Sequence, residues 1–291
     1  MFIRKYQLVS PLGEGKFGQV YRGNNRKTGE EVAVKLESRY SHCRVLRHES
    51  TLLHYLSSKA CANVPPVYWY GEWTEKSAMV LVMPLYEYSL YEFATSRNMS
   101  ASSYTNILAS CLRIYESIHV AGVVHRDVKP QNIMHKQGQW YIIDFGLSSF
   151  YVNEDFRHIS SSTVPVDRHM VGTPKYASWF MHQGYEYSRR DDLLSLGYVG
   201  LWFLYGDRFW ERIAPDEYLS SPLYSMSATS TELTSPNNER LARCKEKNRV
   251  FSHLVDYPNL RNYLEYAYSL AFDETPPYSA MEECLLQSET I

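Results

Sequence analysis

The 291-residue sequence has no apolar stretch long enough to cross a bilayer. Its best candidate, Leu196–Tyr205, has about half of the roughly 18–20 residues that a transmembrane helix needs, so it predicts a buried helix. The first residues, Met1–Tyr6, lack the apolar core and small-residue cleavage site of a secretion signal. We therefore expect a protein that does not act in a membrane.

Disulfide patterns, zinc motifs and a strong net charge are also missing. The five cysteines are odd in number and widely scattered, without a C-x-x-C pair, which favours core thiols in a reducing compartment. We accordingly expect an intracellular protein, cytoplasmic or nuclear. The formal charge of −2 argues against a broad nucleic-acid surface. No repeat or heptad suggests an obligate oligomer, so we expect a monomer.

The most informative segment is His-Arg-Asp-Val-Lys-Pro-Gln-Asn at 125–132, followed twelve residues later by Asp-Phe-Gly at 144–146. These two patterns, H-R-D-x-x-x-x-N and D-F-G, resemble the motif pair of protein kinases. Asp127 is the candidate base for a substrate hydroxyl, and Lys129 can neutralise the moving phosphate. Asn132 and Asp144 are the candidate Mg²⁺ ligands. The segment therefore predicts phosphoryl transfer from ATP.

Two residues of the same segment are expected to support it rather than react. His125 has a pKa suited to acid–base chemistry, but in this motif it is expected to pack against Phe145. Arg126 is expected to bind a phosphate or carboxylate of the downstream segment.

A glycine-rich turn and a lysine precede this segment. Gly13, Gly15 and Gly18 form a G-x-G-x-x-G pattern between two alternating segments, which predicts two strands joined by a turn that approaches phosphates. The pattern also opens dinucleotide-binding helices, but here another strand follows, Glu31–Lys35, and this order favours the kinase interpretation.

Lys35 ends that strand, where it is expected to pair with the α- and β-phosphates of ATP. A lysine in this position needs a carboxylate partner. Glu49 is the first candidate, because it lies in a segment with leucines at helical spacing. Glu37, only two residues from Lys35, is the second.

A short apolar run, Met79–Met83, predicts a buried strand, and Pro84–Tyr86 predicts a linker. Backbone groups at the linker can pair with adenine even though a proline has no N–H. The residues expected to surround the base are Val20, Ala33, Met83, Pro84, Tyr86 and Met134.

The downstream half narrows the resemblance. Lys129 in H-R-D-x-K and Thr173 in Gly-Thr-Pro-Lys-Tyr are typical of serine/threonine kinases, where the threonine hydroxyl bridges Asp127 and Lys129; tyrosine kinases carry other residues after H-R-D. Tyr-Ala-Ser at 176–178 replaces the usual A-P-E, and Ser-Arg-Arg-Asp-Asp-Leu-Leu-Ser-Leu-Gly-Tyr follows at 188–198. Together with 257–278, these motifs resemble the casein kinase I family.

The resemblance implies an α+β, bilobal protein kinase fold. It places a small β-rich N-lobe at about 1–83, a hinge at about 84–87 and a larger helical C-lobe at about 88–291. In this fold Asp192 is expected to hold the backbone of the catalytic segment.

The resemblance also implies protein substrates with serine or threonine acceptors near acidic or already phosphorylated residues. Such substrates require cations near the cleft, and a phosphate opposite them would form charge-assisted hydrogen bonds. The candidates for this anion site are Arg168, Lys175, Lys245 and Lys247. Solvated surface cations are the alternative interpretation of these four residues.

Two segments depart from or add to the family pattern. Residues 220–238 are rich in serine, threonine and proline and predict an inserted loop. Ser160–Thr163 offers hydroxyls that could be phosphorylated.

Two rival functions share the fold: a pseudokinase scaffold that binds without turnover, and a small-molecule phosphotransferase. Scaffolds usually lack one of the residues present here, and small-molecule enzymes commonly lack the H-R-D-x-K and G-T pair.

Overall fold

The structure, a computed structural model, describes residues 2–15, 18–96, 101–159, 170–214 and 236–287. Its N-terminal part is an antiparallel sheet with one helix, and its C-terminal part is mainly helical, which gives the expected bilobal α+β architecture. No helix in the described ranges is long and apolar enough to cross a bilayer.

The N-terminal sheet has six strands in the order β1-β2-β3-β4-β6-β5. Its strands are β1 (Phe2–Ile3), β2 (Tyr6–Gly15), β3 (Gly18–Asn25), β4 (Glu31–Ser38), β5 (Trp69–Trp73) and β6 (Ala78–Pro84). The alternation of β4 explains why the sheet has two buried faces. Val32 and Val34 pack into one cluster with β6 valines, whereas Ala33 joins the main core.

Helix α1 (Val45–Ser58) covers the core-facing side of this sheet. Its leucines recur at helical spacing and are buried, as the sequence pattern predicts. The Arg44 side chain makes no cap hydrogen bond. The carboxylate of Glu37 instead accepts the N–H groups of Val45 and Leu46 at 3.0 and 3.3 Å, which fixes the start of the helix that carries Glu49.

Short strands frame the catalytic segment. They are β7 (Tyr88–Ser89), β8 (Val123–Val124), β9 (Ile133–Lys136), β10 (Gln139–Ile142) and β11 (Ser149–Phe150). They pair in the order β10-β9-β7 and β11-β8. Residues 125–132 connect β8 to β9, and Asp144 follows β10, so both motifs emerge at ends of these strands.

The remaining helices form the C-terminal part. They are α2 (Leu90–Thr95), α3 (Ala101–Val120), α4 (Trp179–His182), α5 (Arg189–Tyr205), α6 (Phe209–Ile213), α7 (Pro236–Cys244), α8 (Lys247–Ser252), α9 (Pro258–Ser269) and α10 (Tyr278–Leu286). Helix α5 is buried along Arg189–Trp202, in agreement with the apolar run at 196–205. It packs against α3 and α9. Ser160–Thr163 and most of 220–238 lie outside the described residues.

Candidate active site

The backbone of the catalytic segment is held by Asp192 from the start of α5. Its carboxylate accepts the N–H groups of His125 and Arg126 at 2.7 and 2.9 Å and also bonds His119 and Tyr187. Burial raises the pKa of Asp192, but the hydrogen bond from His119 and the other donors outweigh burial and lower it. Arg126 has a left-handed backbone with φ 71°, which these contacts stabilise.

The side chains of His125 and Arg126 contact other protein side chains. The His125 ring packs edge-on against Phe145 with centroids 5.0 Å apart, as the sequence motif predicts. Arg126 donates to the hydroxyl of Ser149 at 3.1 Å. The sequence predicts that Arg126 binds a phosphate or carboxylate of the downstream segment. Residues 160–169 of that segment lie outside the described residues, so this stays a prediction.

Asp127, Lys129 and Thr173 form one hydrogen-bonded cluster. The Lys129 ammonium lies 2.6 Å from Asp127 Oδ2 and 3.2 Å from Thr173 Oγ1, and the Thr173 hydroxyl donates to Asp127 Oδ1 at 2.7 Å. The threonine therefore bridges the two residues in the way expected from the motif. Asp127 is almost fully buried, so its position is set by these partners rather than by solvent.

Gly172 brings that threonine to the catalytic segment. Its φ is +92°, and a β-carbon at this position would lie 2.3 Å from the carbonyl oxygen of Arg126. Only glycine combines this backbone conformation with so close an approach. The Gly-Thr pair is therefore a geometric requirement of the cluster.

Asn132 and Asp144 supply oxygens suited to a divalent cation. Asn132 donates through Nδ2 to the backbone carbonyl of Asp127 at 2.9 Å and to its carboxylate at 3.1 Å, which orients the amide oxygen for another partner. Asp144 uses one oxygen for Lys35, and its side chain is 36% exposed. In the described chain, no three His, Cys, Asp or Glu side chains are grouped as a metal site. Two protein oxygens fit Mg²⁺, which takes few protein ligands and completes its shell with phosphate and water.

Lys35 lies between two carboxylates. Its ammonium is 2.7 Å from Glu49 Oε1 and 3.1 Å from Asp144 Oδ1. Burial lowers the pKa of Lys35, but the charges of Glu49 and Asp144 outweigh it and raise the pKa above its ordinary value. The Lys35 charge in turn is the main cause of the lowered pKa of Asp144. The structure thus pairs Lys35 with Glu49, while Glu37 serves the N-terminus of α1.

The glycine-rich pattern lies where β2 ends and β3 begins. Gly15 and Gly18 are paired across the two strands, and Gly13 pairs with Val20. Gly18 has φ +141°, and a β-carbon there would lie 2.0 Å from the Leu36 carbonyl oxygen, so a larger residue cannot occupy the position.

A cavity of about 230 Å³ separates the sheet from the catalytic segment. Its lining includes the expected phosphate-binding and catalytic residues Gly18, Val20, Lys35, Glu49, Asp127, Lys129 and Asp144. The structure therefore brings together, around one space, residues that are up to 126 positions apart in the chain.

The residues expected around adenine come from β3, β4, β6, β9 and the segment after β6. Ala33 pairs with Met83 across β4 and β6, and Pro84 pairs with Val32. Tyr86 is buried, and its ring lies 5.1 Å from that of Tyr141. Met134 lies on β9 opposite Tyr141. Met83, Pro84 and Tyr86 thus lie at or beside the predicted linker, and Met134 lies on the strand after the catalytic segment.

Of the four candidate anion-site residues, the three within the described ranges are each engaged by other protein groups. Lys175 forms an ion pair with Asp207 at 2.9 Å, and Lys247 lies 3.7 Å from Glu265. Lys245 is fully buried, and its ammonium donates to the carbonyls of Pro174 and Ala177. Arg168 lies outside the described residues.

The burial of Lys245 corrects the expectation of a surface cation at that position. A lysine is normally solvent-exposed, but here two carbonyl oxygens and the imidazole of His182 replace water around the ammonium. Nothing local in the sequence signals this environment, because the partners are more than 60 residues away.

Sequence reasoning also missed the roles of Glu37 and Asp207. The first caps α1, and the second accepts hydrogen bonds from Lys175, Tyr91 and Trp202. A signal for Glu37 exists, since an acidic residue shortly before a helix favours its N-terminus. Asp207 has no comparable local signal, because its partners come from three segments.

A family model described as the protein kinase domain matches residues 6–260. The match covers most of the chain and includes the glycine-rich turn, Lys35, the catalytic segment and Asp144. The chain therefore belongs to the protein kinase family. Membership implies a phosphotransferase that uses ATP and a divalent metal and acts on protein substrates.

Proposed function

We propose that this protein is an active serine/threonine protein kinase that resembles casein kinase I. The observation that supports it most strongly is the cluster of Asp127, Lys129 and Thr173, joined by hydrogen bonds of 2.6 to 3.2 Å. It places a carboxylate and an ammonium within one hydrogen bond of the same hydroxyl. That is the arrangement needed to receive a substrate alcohol and to neutralise a phosphoryl group beside it.

Each polar residue has a separate role in this proposal. Asp127 orients the serine or threonine hydroxyl and accepts its proton as the oxygen attacks the γ-phosphate. Lys129 lies close enough to stabilise the charge on the transferred group. Lys35, fixed by Glu49, binds the α- and β-phosphates.

Mg²⁺, when bound, would neutralise the phosphates, and Asn132 and Asp144 would hold it. The Lys35 charge lowers the pKa of Asp144, which keeps this carboxyl ionised and able to hold a cation.

The nucleotide is expected to enter between the sheet and the catalytic segment. Gly13, Gly15 and Gly18 would approach the phosphates, with Val20 and Ala33 over the adenine. The carbonyl of Pro84 and the backbone of Tyr86 would pair with its edge, and Met83 and Met134 would complete the pocket. The cavity of about 230 Å³ supports the phosphate end of this assignment. We place the hinge between the lobes at about 84–87.

The casein kinase I-like assignment has support beyond the motifs. Ser178, which stands in place of the usual A-P-E glutamate, donates its hydroxyl to Asp191 and accepts the N–H of Met181 at 3.1 Å. Arg189 donates to the carbonyl of Asp273 at 2.6 Å. The first contact joins the altered motif to the Ser-Arg-Arg-Asp-Asp segment, and the second joins that segment to residues near the C-terminal end of the resemblance. We further propose an intracellular monomer, cytoplasmic or nuclear.

A direct transfer assay tests the proposal. The purified chain would receive Mg²⁺, labelled ATP, casein and a serine peptide, and we expect label on both protein and peptide. The variant Asp127→Asn should keep ATP affinity within about twofold and lose about a hundredfold or more in turnover.

Two results would contradict the proposal. Absence of transfer to any protein, the chain itself included, with ATP still bound, would support the pseudokinase scaffold. Transfer to a small metabolite but to no protein would support the small-molecule phosphotransferase.

A further inference from the structure

Asp207 lies just after α5 and accepts hydrogen bonds from three side chains. Oδ1 accepts from the Lys175 ammonium at 2.9 Å and from Trp202 Nε1 at 3.1 Å, and Oδ2 accepts from the Tyr91 hydroxyl at 2.9 Å. Tyr91 is also stacked on Trp202, with centroids 5.6 Å apart. The donors come from α2, α5 and the loop before α4, so the carboxylate occupies a built anion cradle.

The cation of this cradle lies close to the reacting groups. Lys175 is two residues from Thr173, whose hydroxyl donates to Asp127 at 2.7 Å. The Lys175 carbonyl accepts the indole N–H of Trp210 at 2.7 Å, which fixes its backbone. Because consecutive Cα atoms are about 3.8 Å apart, the backbone of Lys175 lies within about 8 Å of the residue that contacts Asp127, beside the position expected for a substrate hydroxyl.

The exposure of the pair differs between its members. The side chain of Lys175 is 18% exposed, whereas that of Asp207 is 53% exposed. A substrate that approaches Lys175 therefore meets a carboxylate as well as an ammonium. The pair of Lys175 and Asp207 itself carries no net charge.

We propose that Asp207 determines substrate charge specificity by acting as a built-in counter-anion for Lys175. The inference rests on the proposed kinase function and refines its substrate class. A phosphate or carboxylate on the substrate must displace Asp207 from Lys175 or share the ammonium with it. Both alternatives remove most of the gain that an anionic substrate would draw from the lysine. The protein therefore gains no preference for substrates that carry a phosphate beside Lys175.

The test is a peptide series with one acceptor serine and one phosphoserine moved through successive positions on either side of it. For each enzyme form, kcat/KM of the phosphorylated peptide is divided by that of its unphosphorylated twin, so a general loss of activity cancels. The wild type should give ratios near one. Asp207→Asn and Asp207→Ala should raise the ratio about fivefold at the positions nearest Lys175, the size typical of one partly exposed charge pair.

Two further variants test whether Lys175 is the cation that responds to the loss of Asp207. Adding Lys175→Ala to Asp207→Ala should return the ratio to near one, because the responsible cation is then absent. Glu211→Gln removes a carboxylate four residues away that lies near Arg208 instead, and its ratios should equal those of the wild type. Fluorescence anisotropy of labelled peptides on each form gives the same comparison for binding, without turnover.

The outcomes separate the two proposals. No transfer by the wild type would overturn the kinase function, and the binding ratios would still decide the role of Asp207. Transfer with ratios that do not change in either Asp207 variant would overturn only the counter-anion role. A raised ratio in the variant that also lacks Lys175, or in Glu211→Gln, would overturn the counter-anion role as well.

Discussion

The ammonium of Lys245 donates a hydrogen bond to Nε2 of His182 at 2.8 Å inside the C-terminal core. Burial and the Lys245 charge lower the pKa of His182, so the imidazole is neutral and can accept the bond. Burial also lowers the pKa of Lys245. Its contacts with the carbonyls of Pro174 and Ala177 and with the faces of two aromatic rings favour the ammonium. Lys245 thereby anchors the segment that follows Thr173.

Replacing Lys245 should therefore destabilise the fold. Lys245→Met keeps the length of the side chain but leaves two buried carbonyls and His182 without their donor, and we expect a loss of about 3 kcal/mol. Urea unfolding followed by circular dichroism measures this change. Lys247→Met is the matched control, since Lys247 is 41% exposed and should change stability by less than about 0.5 kcal/mol. Equal losses in both variants would contradict an anchoring role.

The hydroxyl of Thr173 should matter for turnover more than for folding. Thr173→Ala removes the group between Asp127 and Lys129, and we expect kcat to fall about tenfold with KM for ATP nearly unchanged. Thr173→Ser keeps the hydroxyl and should retain most of the rate. Steady-state kinetics of both variants provide the comparison, and equal losses in the two would show that the methyl group, not the hydroxyl, is important.

Glu49 should act through Lys35. In Glu49→Gln, Lys35 loses one of its two carboxylate partners and is expected to pair more closely with Asp144. Asp144 is then less available to the metal, and Lys35 is less well positioned to bind the phosphates. We expect kcat/KM for ATP to fall about tenfold or more. Initial rates at varied ATP measure it. Glu72→Gln, an exposed carboxylate paired with Arg39, should stay within about twofold of the wild type. Wild-type rates in Glu49→Gln would refute the pairing as a requirement.

Asp191 should give the stability a distinct pH dependence. It is fully buried, and burial raises its pKa from 3.8 to about 6. The folded protein therefore holds this proton more tightly than the unfolded chain. The stability that results is complete below about pH 4 and is lost as the pH rises through about 6.

A comparison with Asp191→Asn isolates this effect. The unfolding free energy of the wild type minus that of the variant should fall by about 2 kcal/mol between about pH 4 and pH 6.5. It should then remain level up to about pH 7.5. Urea unfolding at each pH supplies the values. A difference that rises with pH, or stays constant throughout, would exclude a raised pKa at Asp191.

The local patterns were sufficient to predict much of the fold. The helical spacing of leucines predicted the helix that carries Glu49, because that helix buries one face. The Val-Ala-Val-Lys run predicted the strand that carries Lys35. The H-R-D and D-F-G motifs predicted the catalytic segment, since their residues work together over a short stretch. The bridge made by Thr173 was expected from the resemblance to serine/threonine kinases.

Long-range neighbours could not be predicted in the same way. The charge of Lys175, Lys245 and Lys247 was evident from the sequence, but exposure and pairing depend on segments distant in the chain. The sequence by itself determined the family, the candidate chemistry and the residues able to perform it. Only the tertiary structure decided that Lys245 lies in the core and that Asp207 faces Lys175, because burial and electrostatic pairing arise from contacts that no local pattern records.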